Sequence, residues 1–524
     1  MKNFKENLIA NLITFGVAAA ILVICYLICP WAIMFNVGNM LGLAVAIGIG
    51  WFVSMAYRSA VECRIGVTPI SAIALLVAAS LILGVASGAM INAGVFASAA
   101  NIIEKTEEDV KTDLPTIDDI KQISLMDTAS AKKLGDRTLG AMKELVSQYE
   151  VSNNYYTIAF QGDIIKLSPL EYGGLAKVFN HESIPGYVTV DVHKSTAKYN
   201  QSKTGIVLSP SDICSQDLHR QVQNAFPNVM LGNYTFQIDD ERNEFWVYQT
   251  MTYNTLMGCK VPNGCIVVTV DGSSMIQYSI EDAPEWVDLI FDGDYIAKMY
   301  NWHGRYLNGW WNLAKEGQTM VTDDFGYIVI NNTLYVYTGV TSVGRDESNI
   351  GFILCNTRNG EMFYYPLAGA EEYSAMSAAE GIVQNFGYKA SFPSIVMVED
   401  VATYVMVLKD DNGLVKNYAM VNYENYAIAV VGKTLEECQE QYAKALATDT
   451  SVVDESKISS KEIVIKDIVY IVNGGETTVY VYAEDGEVFR TAFDEFWLLQ
   501  VAGNTVTVKY VDSTNAIKAM TSFE

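Results

Sequence analysis

The stretch YNWHGRYLNGWW, Tyr300 to Trp311, gathers the side chains of this 524-residue chain that are best suited to holding a ligand. Trp302, Tyr306, Trp310 and Trp311 offer flat apolar faces that can stack on sugar rings, while Arg305 and Asn308 offer polar edges for hydroxyls. The same tryptophans would alternatively fill a core between two structural repeats. A second local feature is Cys259 and Cys265, which flank Pro262-Asn263-Gly264. That tripeptide reads as a turn, so the two thiols either close a disulfide across a hairpin or stand unpaired at its ends.

Other motifs fall short of a mechanism. AIAVVGKT, Ala427 to Thr434, ends as a phosphate loop ends but has Ala427 where that loop needs glycine. Thr434 followed by Glu437 reads instead as a capping box. His181, His193, His219 and His303 show no zinc spacing, and GVTSVG from Gly339 lacks the spacing of a serine nucleophile elbow. Asp292-Gly293-Asp294 and Asp410-Asp411-Asn412 lack the regular ligand spacing of a calcium loop and read as solvated turns. No catalytic residue, metal ligand or cofactor is assigned, and the chain is expected not to be an enzyme.

The elements that must position these residues begin with an apolar block, Leu8 to Ala99. Its first run, Leu8 to Leu27, is uncharged and about 20 residues long, enough for a helix to cross the hydrocarbon of a bilayer. A second runs from about Val37 to Ala56 and a third from Pro69 to about Ala93. The first run is longer than a signal-peptide core and lacks a small-residue cleavage site, so it is read as a retained helix. Lys2, Lys5, Arg58 and Arg64 place the N-terminus and the second loop in the cytoplasm. Three crossings then put residues from about 100 onward outside. Gly38 with Gly42 and Gly84 with Gly88 predict close helix–helix contacts, as does Gly16 with Ala20, either within one chain or between copies.

Charge narrows the partners. The chain has 35 Lys and Arg against 60 Asp and Glu, and the membrane block holds few of either, so the external part is strongly acidic. Such a surface repels nucleic acid and anionic polymers. Of eight cysteines, Cys25, Cys29 and Cys63 belong to the block, leaving Cys214, Cys259, Cys265, Cys355 and Cys438 outside. Their odd number and spacing form no disulfide framework.

The predicted order is three transmembrane helices over 1–100, an acidic stalk or linker over 101–123, and a first external α+β unit over 124–231. Three copies of an internal repeat follow, at 232–320, 321–395 and 396–449, then a linker at 450–462 and a small β-barrel, OB-like or SH3-like, at 463–524. In each repeat, strands joined by Asp271-Gly272, Asn359-Gly360 or Asn412-Gly413 turns lead into a helix. The fold class is α+β, an antiparallel sheet packed by helices.

The phrase CIVVTVDGSSMIQYSI resembles PepSY-type modules, small α+β domains of exported bacterial proteins. DTASAKKLGDRTLG, TGVTSVGRDESNIGFIL and AGAEEYSAMSAAEG resemble a family of uncharacterised bacterial multi-span membrane proteins with a large external region. The first resemblance implies a binding or inhibitory part without catalytic residues. The second, over most of 124–450, implies the membrane layout and brings no activity. The expected function is a non-catalytic, membrane-anchored external binding or assembly protein, homo-oligomeric through its small-residue spans. The alternative is an envelope glycan-binding module that uses the aromatic stretch.

Overall fold

A computed structural model describes residues 2–61, 67–117, 123–178, 182–213, 215–343, 348–446, 459–473, 476–493, 495–511 and 517–523. Cys63, Arg64, His181, Cys214 and most of the 450–462 linker lie outside the described residues. The chain forms two compact units, 1–372 and 373–524.

The first unit starts with helices α1 (Lys2–Ile28), α2 (Val37–Ala60) and α3 (Val67–Ser87), the last continued by α4 (Ala89–Ala97). Phe4–Ile28, Val37–Ala60 and Val67–Ala97 are long and apolar enough to span a membrane. Asn36 caps α2 by accepting from the Asn39 amide at 2.8 Å, and Asn39 Nδ2 donates to the Ala32 and Met34 carbonyls, fixing a tight loop. Helices α1 and α2 meet closest at Gly50, where a Cβ would lie 2.2 Å from the Thr14 carbonyl oxygen. Beside it the buried Thr14 hydroxyl donates to Ser54 Oγ at 3.0 Å. The expected glycine contacts are therefore corrected within the chain. A Cβ at Gly42 or Gly84 would meet nothing within 4 Å, Gly38 would meet only Asn36, and Gly88 marks the break between α3 and α4. A Ser-Gly pair is a usual place for such a break.

Beyond the spans, strand β1 (Asn101–Glu104) and helix α5 (Glu107–Asp113) correct the reading of 101–123 as a stalk. The strand pairs in parallel with a later one at Glu361–Tyr364. Val110, Leu114 and Ile117 are buried, and Tyr365 donates to Asp113. Glu104, Glu107 and Glu108 are exposed, on the outward side of these elements.

One plan then recurs: a helix, a first strand that is split in two in the first and third copies, and a meander. The first copy has α6 (Thr128–Gly140), α7 (Lys143–Val146), β2 (Tyr149–Val151), β3 (Tyr156–Phe160), β4 (Asp163–Tyr172), the inserted α8 (Leu175–Val178), β5 (Ile184–Asp191) and β6 (Thr196–Ile206). The second has α9 (Leu218–Ala225), β7 (Met230–Ile238), β8 (Glu244–Tyr253), β9 (Lys260–Thr269) and β10 (Met275–Ser279). The third has α10 (Gly293–Tyr306), β11 (Thr319–Val321), β12 (Gly326–Ile330), β13 (Thr333–Ser342), β14 (Ser348–Asn356), β15 (Glu361–Tyr365) and the short β16 (Gly369–Ala370). Two-residue turns join the first and second strands at Gln161-Gly162 and Asn331-Asn332, all four residues at positive φ, which matches the strand twist.

Packing is set by alternation along the second sheet. Trp246, Tyr248, Ile266 and Val268 enter one core with the first sheet, including Leu167, Tyr187 and Val188. Val247, Cys265 and Val267 enter another with α10 and the third sheet. Both faces of β8 and β9 are covered, so the strands read as continuous apolar runs. The Trp246 indole N–H donates to the Leu208 carbonyl at 2.8 Å, which removes the cost of burying it. The expected Pro262-Asn263-Gly264 turn is corrected here. These residues lie inside β9, where a bulge opposite Thr250 and Met251 leaves Asn263 without a ladder partner, between Pro262 and Gly264. Cys259 and Cys265 are both free thiols.

The second unit carries a fourth copy: α11 (Glu372–Ile382), β17 (Lys389–Ala390), β18 (Ser394–Val398), β19 (Val401–Lys409), β20 (Val415–Asn422), β21 (Ala429–Gly432) and a closing α12 (Leu435–Leu446). A closed barrel follows, made of β22 (Ser459–Asn473), β23 (Glu476–Ala483), β24 (Val488–Ala492), β25 (Thr505–Val511) and β26 (Ile517–Phe523), around Trp497, Phe489 and Val481.

Two outcomes test this architecture. Gly50→Val pushes α1 from α2 and costs about 2 kcal/mol, read by thermal unfolding of the variant and the native protein in detergent. The second concerns Asp288, fully buried, whose Oδ2 accepts the Ala159 amide at 2.7 Å. Burial pushes its carboxyl up to about 7. The folded state then holds this proton more tightly than the unfolded chain, so the stability it contributes is lost as pH rises from about 4 to 7. Asp288→Asn removes this dependence: denaturant unfolding shows the variant gaining on the native protein across that window, by at most about 4 kcal/mol.

Candidate functional site

The third repeat's helix α10 is held from three sides. Asp292 caps it by accepting the Tyr295 amide at 2.9 Å, and Asn233 Nδ2 donates to the other carboxylate oxygen at 2.9 Å. Ile296, Met299 and Tyr300 face the core shared with the second and third sheets, and burial pushes the Tyr300 phenol up to about 12. The opposite flank lies on α4, the continuation of the third span. Phe96 makes edge contacts with Trp302 at 5.1 Å and Tyr306 at 5.9 Å, and His303 Nδ1 lies 3.0 Å from the Ala97 carbonyl. Cys259 joins this contact with its Sγ 3.8 Å from the Val95 carbonyl, and burial raises its thiol.

Further contacts fasten the second repeat to the span ends. Arg220 donates to the Leu27 and Ile28 carbonyls at the C-terminus of α1, where a helix leaves carbonyls unpaired and a cation is favoured. His219 Nε2 lies 3.3 Å from the Pro30 carbonyl, and the Ile33 amide donates to Pro227 at 2.7 Å. Ser87 accepts from Thr255 through its carbonyl and from the Met257 amide through its hydroxyl, each at 3.0 Å. The ends of α1 and α3 and the start of α2 thus share one side of the helix bundle with the repeats.

After α10 the chain folds into a groove of about 500 Å³ whose lining includes Arg305, Tyr306, Trp310, Leu313, Lys315 and Met320. Its base is α10 against β11, brought together because Gly304 leaves room: a Cβ there would lie 2.1 Å from the Thr319 carbonyl. Asn301 Oδ1 accepts the Val321 amide at 3.0 Å across the same junction. The rim is held by its own amides. Asn312 accepts the Glu316 amide and donates to the Glu316 carbonyl, Asn308 donates to that carbonyl too, and Gln318 Nε2 donates to the Arg305 and Asn312 carbonyls. Lys315, Gly309 and Gly317 take positive φ to close the loop.

The structure therefore divides the aromatic stretch. Arg305, Tyr306 and Trp310 line the groove together. Trp302 does not: it packs against Phe96 and Tyr295, with Lys298 Nζ over its ring at 5.0 Å. Trp311 is 69% exposed outside the lining, edge-on to Trp310 at 4.7 Å. Asn308 is spent on the rim. Sequence reasoning missed Lys315, Asn301 and Met320, which meet the aromatic stretch only because the loop after α10 folds back to β11.

The remaining motifs have structural places. Thr434 and Glu437 cap α12 reciprocally, Glu437 accepting from the Lys433 amide at 2.8 Å and its own amide donating to Thr434 Oγ1 at 3.2 Å. Asp410 accepts the Asn412 and Leu414 amides of its turn and pairs with Lys416 at 3.3 Å, which holds its carboxyl below the usual range. Among the described residues no group of three or more His, Cys, Asp or Glu is placed to hold a metal ion.

No family model matches the chain, and no curated protein matches it. Among solved structures, an ancestral GH74 enzyme aligns at 8% identity over 66% of this chain and 42% of its own, with a TM-score of 0.16. The chain thus spans less than half the length of that enzyme. A levansucrase of B. megaterium aligns at 8% identity over 81% of this chain and 97% of its own, TM-score 0.18. An apocarotenoid oxygenase of Synechocystis aligns at 8% identity over 70% and 59%, TM-score 0.13. Likenesses of this size carry no argument about fold or activity.

Proposed function

We propose that the protein is a non-catalytic, membrane-anchored binding and assembly platform of a bacterial envelope, with its repeats on the external side. The observation that carries this reading is the groove between α10 and β11, built on the helix that rests on α4. The chain presents a recessed, aromatic surface at a fixed position relative to its anchor. The orientation rests on the positive-inside rule, since Lys2, Lys5 and Arg58 belong to the end of the bundle away from the repeats. The lining combines the aromatic Tyr306 and Trp310 with the cationic Arg305 and Lys315. The helix-then-meander order is in keeping with PepSY-type modules, and the C-terminal barrel is read as OB-like or SH3-like.

Trp310 and Tyr306 in one recess favour a glycan as the ligand, because each ring can bury the apolar face of a sugar while polar edges stay within reach. Homo-oligomerisation through the spans is part of the proposal: Gly16, Gly42 and Gly84 are exposed on the bundle, with nothing within 4 Å of a Cβ there, and such positions admit a neighbouring helix backbone.

Two measurements decide these points. Light scattering of the detergent-extracted protein gives a multiple of the monomer mass; a monomer mass would reject the oligomer. Trp310→Ala, on a loop fastened by other side chains, leaves the melting temperature unchanged and reduces retention on isolated envelope glycan about tenfold. Unchanged retention would reject the groove as the binding site.

A further inference from the structure

The charged groups lining the groove are Arg305 and Lys315, both cations, in a chain where acidic residues outnumber basic ones 60 to 35. Neither is ion-paired among the described residues. The Arg305 guanidinium lies over the Tyr306 ring at 5.5 Å, and Lys315 enters the loop's hydrogen bonding through its main chain. The amides of Asn312 and Gln318 are spent on the rim, and Asn301 Oδ1 is taken by Val321. What remains available is the guanidinium, the ammonium, the Trp310 indole N–H and Asn301 Nδ2 as donors, Gln318 Oε1 as an acceptor, and the Tyr306 hydroxyl, which can do either.

A neutral sugar offers hydroxyls that both donate and accept and makes no use of net charge. Two positive charges without an ion pair among the described residues, set among mostly donating groups, are complementary to an oxyanion, which accepts and never donates. From this we infer that the groove takes a short acidic saccharide, one or two sugar-sized units bearing a phosphate or carboxylate. The oxyanion sits at Arg305 and Lys315, and the ring lies on Trp310. This rests on the glycan-binding reading above and narrows it. A recess of about 500 Å³ is of the size that encloses small ligands. Length is limited by the rest of the surface, because a net charge of −25 repels an extended polyanion. The acidic unit has two possible sources, a free envelope saccharide or the headgroup of a membrane lipid, since α10 rests on the extension of the third span.

The test is calorimetric titration of the full-length protein in phosphatidylcholine nanodiscs with digalacturonate, glucose 6-phosphate and neutral maltose. The acidic ligands are expected to bind at least tenfold more tightly than maltose and to weaken with added salt. The double variant Arg305→Ala/Lys315→Ala loses that preference while retaining weak maltose binding. Nanodiscs containing phosphatidylglycerol identify the source. Competition with the soluble ligand marks a lipid headgroup, and its absence marks a free saccharide. Equal affinity for maltose and the acidic ligands, or an unaltered preference in the double variant, overturns the inference but leaves glycan binding standing. No binding of any saccharide overturns both.

Discussion

Strands β8 and β9 have no solvent face, and the first unit depends on that. Their odd and even side chains are committed to different cores, one with the first sheet and one with α10 and the third sheet. A shift of either strand by one residue would exchange the two sets at once, so register is fixed from both sides. Buried polar groups lock the same arrangement. Gln249 Nε2 donates to the Ile290 carbonyl at 2.6 Å, and Gln237 accepts the Asp288 amide at 2.9 Å while Asp288 accepts from the first sheet. These bonds tie the segment before α10 to both neighbouring sheets, and so fix where α10 begins.

From that fixed start α10 reaches α4, the continuation of the third long apolar helix. Its buried side belongs to the sheets, its flank to Phe96, and its end to the groove. Burial on one side of the helix therefore positions the groups that line the groove at its end. The site is built on a rigid element, and only its rim is a loop, one braced by Asn308, Asn312 and Gln318.

The spans were legible because an uncharged run of that length has few other uses. The Gly272, Gly360 and Gly413 turns were legible because each glycine supplies the positive φ, between 75° and 76°, that the hairpin needs. The first copy of the plan was not, since its opening turn uses Gln161 beside Gly162 and its strand β6 is largely polar. Asn331-Asn332 and Glu399-Asp400 hid the matching turns of two other copies. Pro262-Asn263-Gly264 misled for the opposite reason: turn-forming residues were absorbed by a bulge inside a strand whose neighbours on both sides supply the ladder. The groove was half visible. Aromatic and cationic types pointed to Arg305, Tyr306 and Trp310, but nothing local separates Trp302, which points to α4, from Trp310 eight residues on. Lys315 required knowing how the loop returns to β11.

The Arg220 guanidinium on the last carbonyls of α1 and the Ser87 hydrogen bonds at the end of α3 have a mechanical consequence. They fasten two spans to one repeat at separate points, so neither helix can tilt independently without breaking charge-assisted or buried hydrogen bonds. Were these helices set in a bilayer, a change of thickness that a free helix meets by tilting would load these hydrogen bonds and the repeat that makes them.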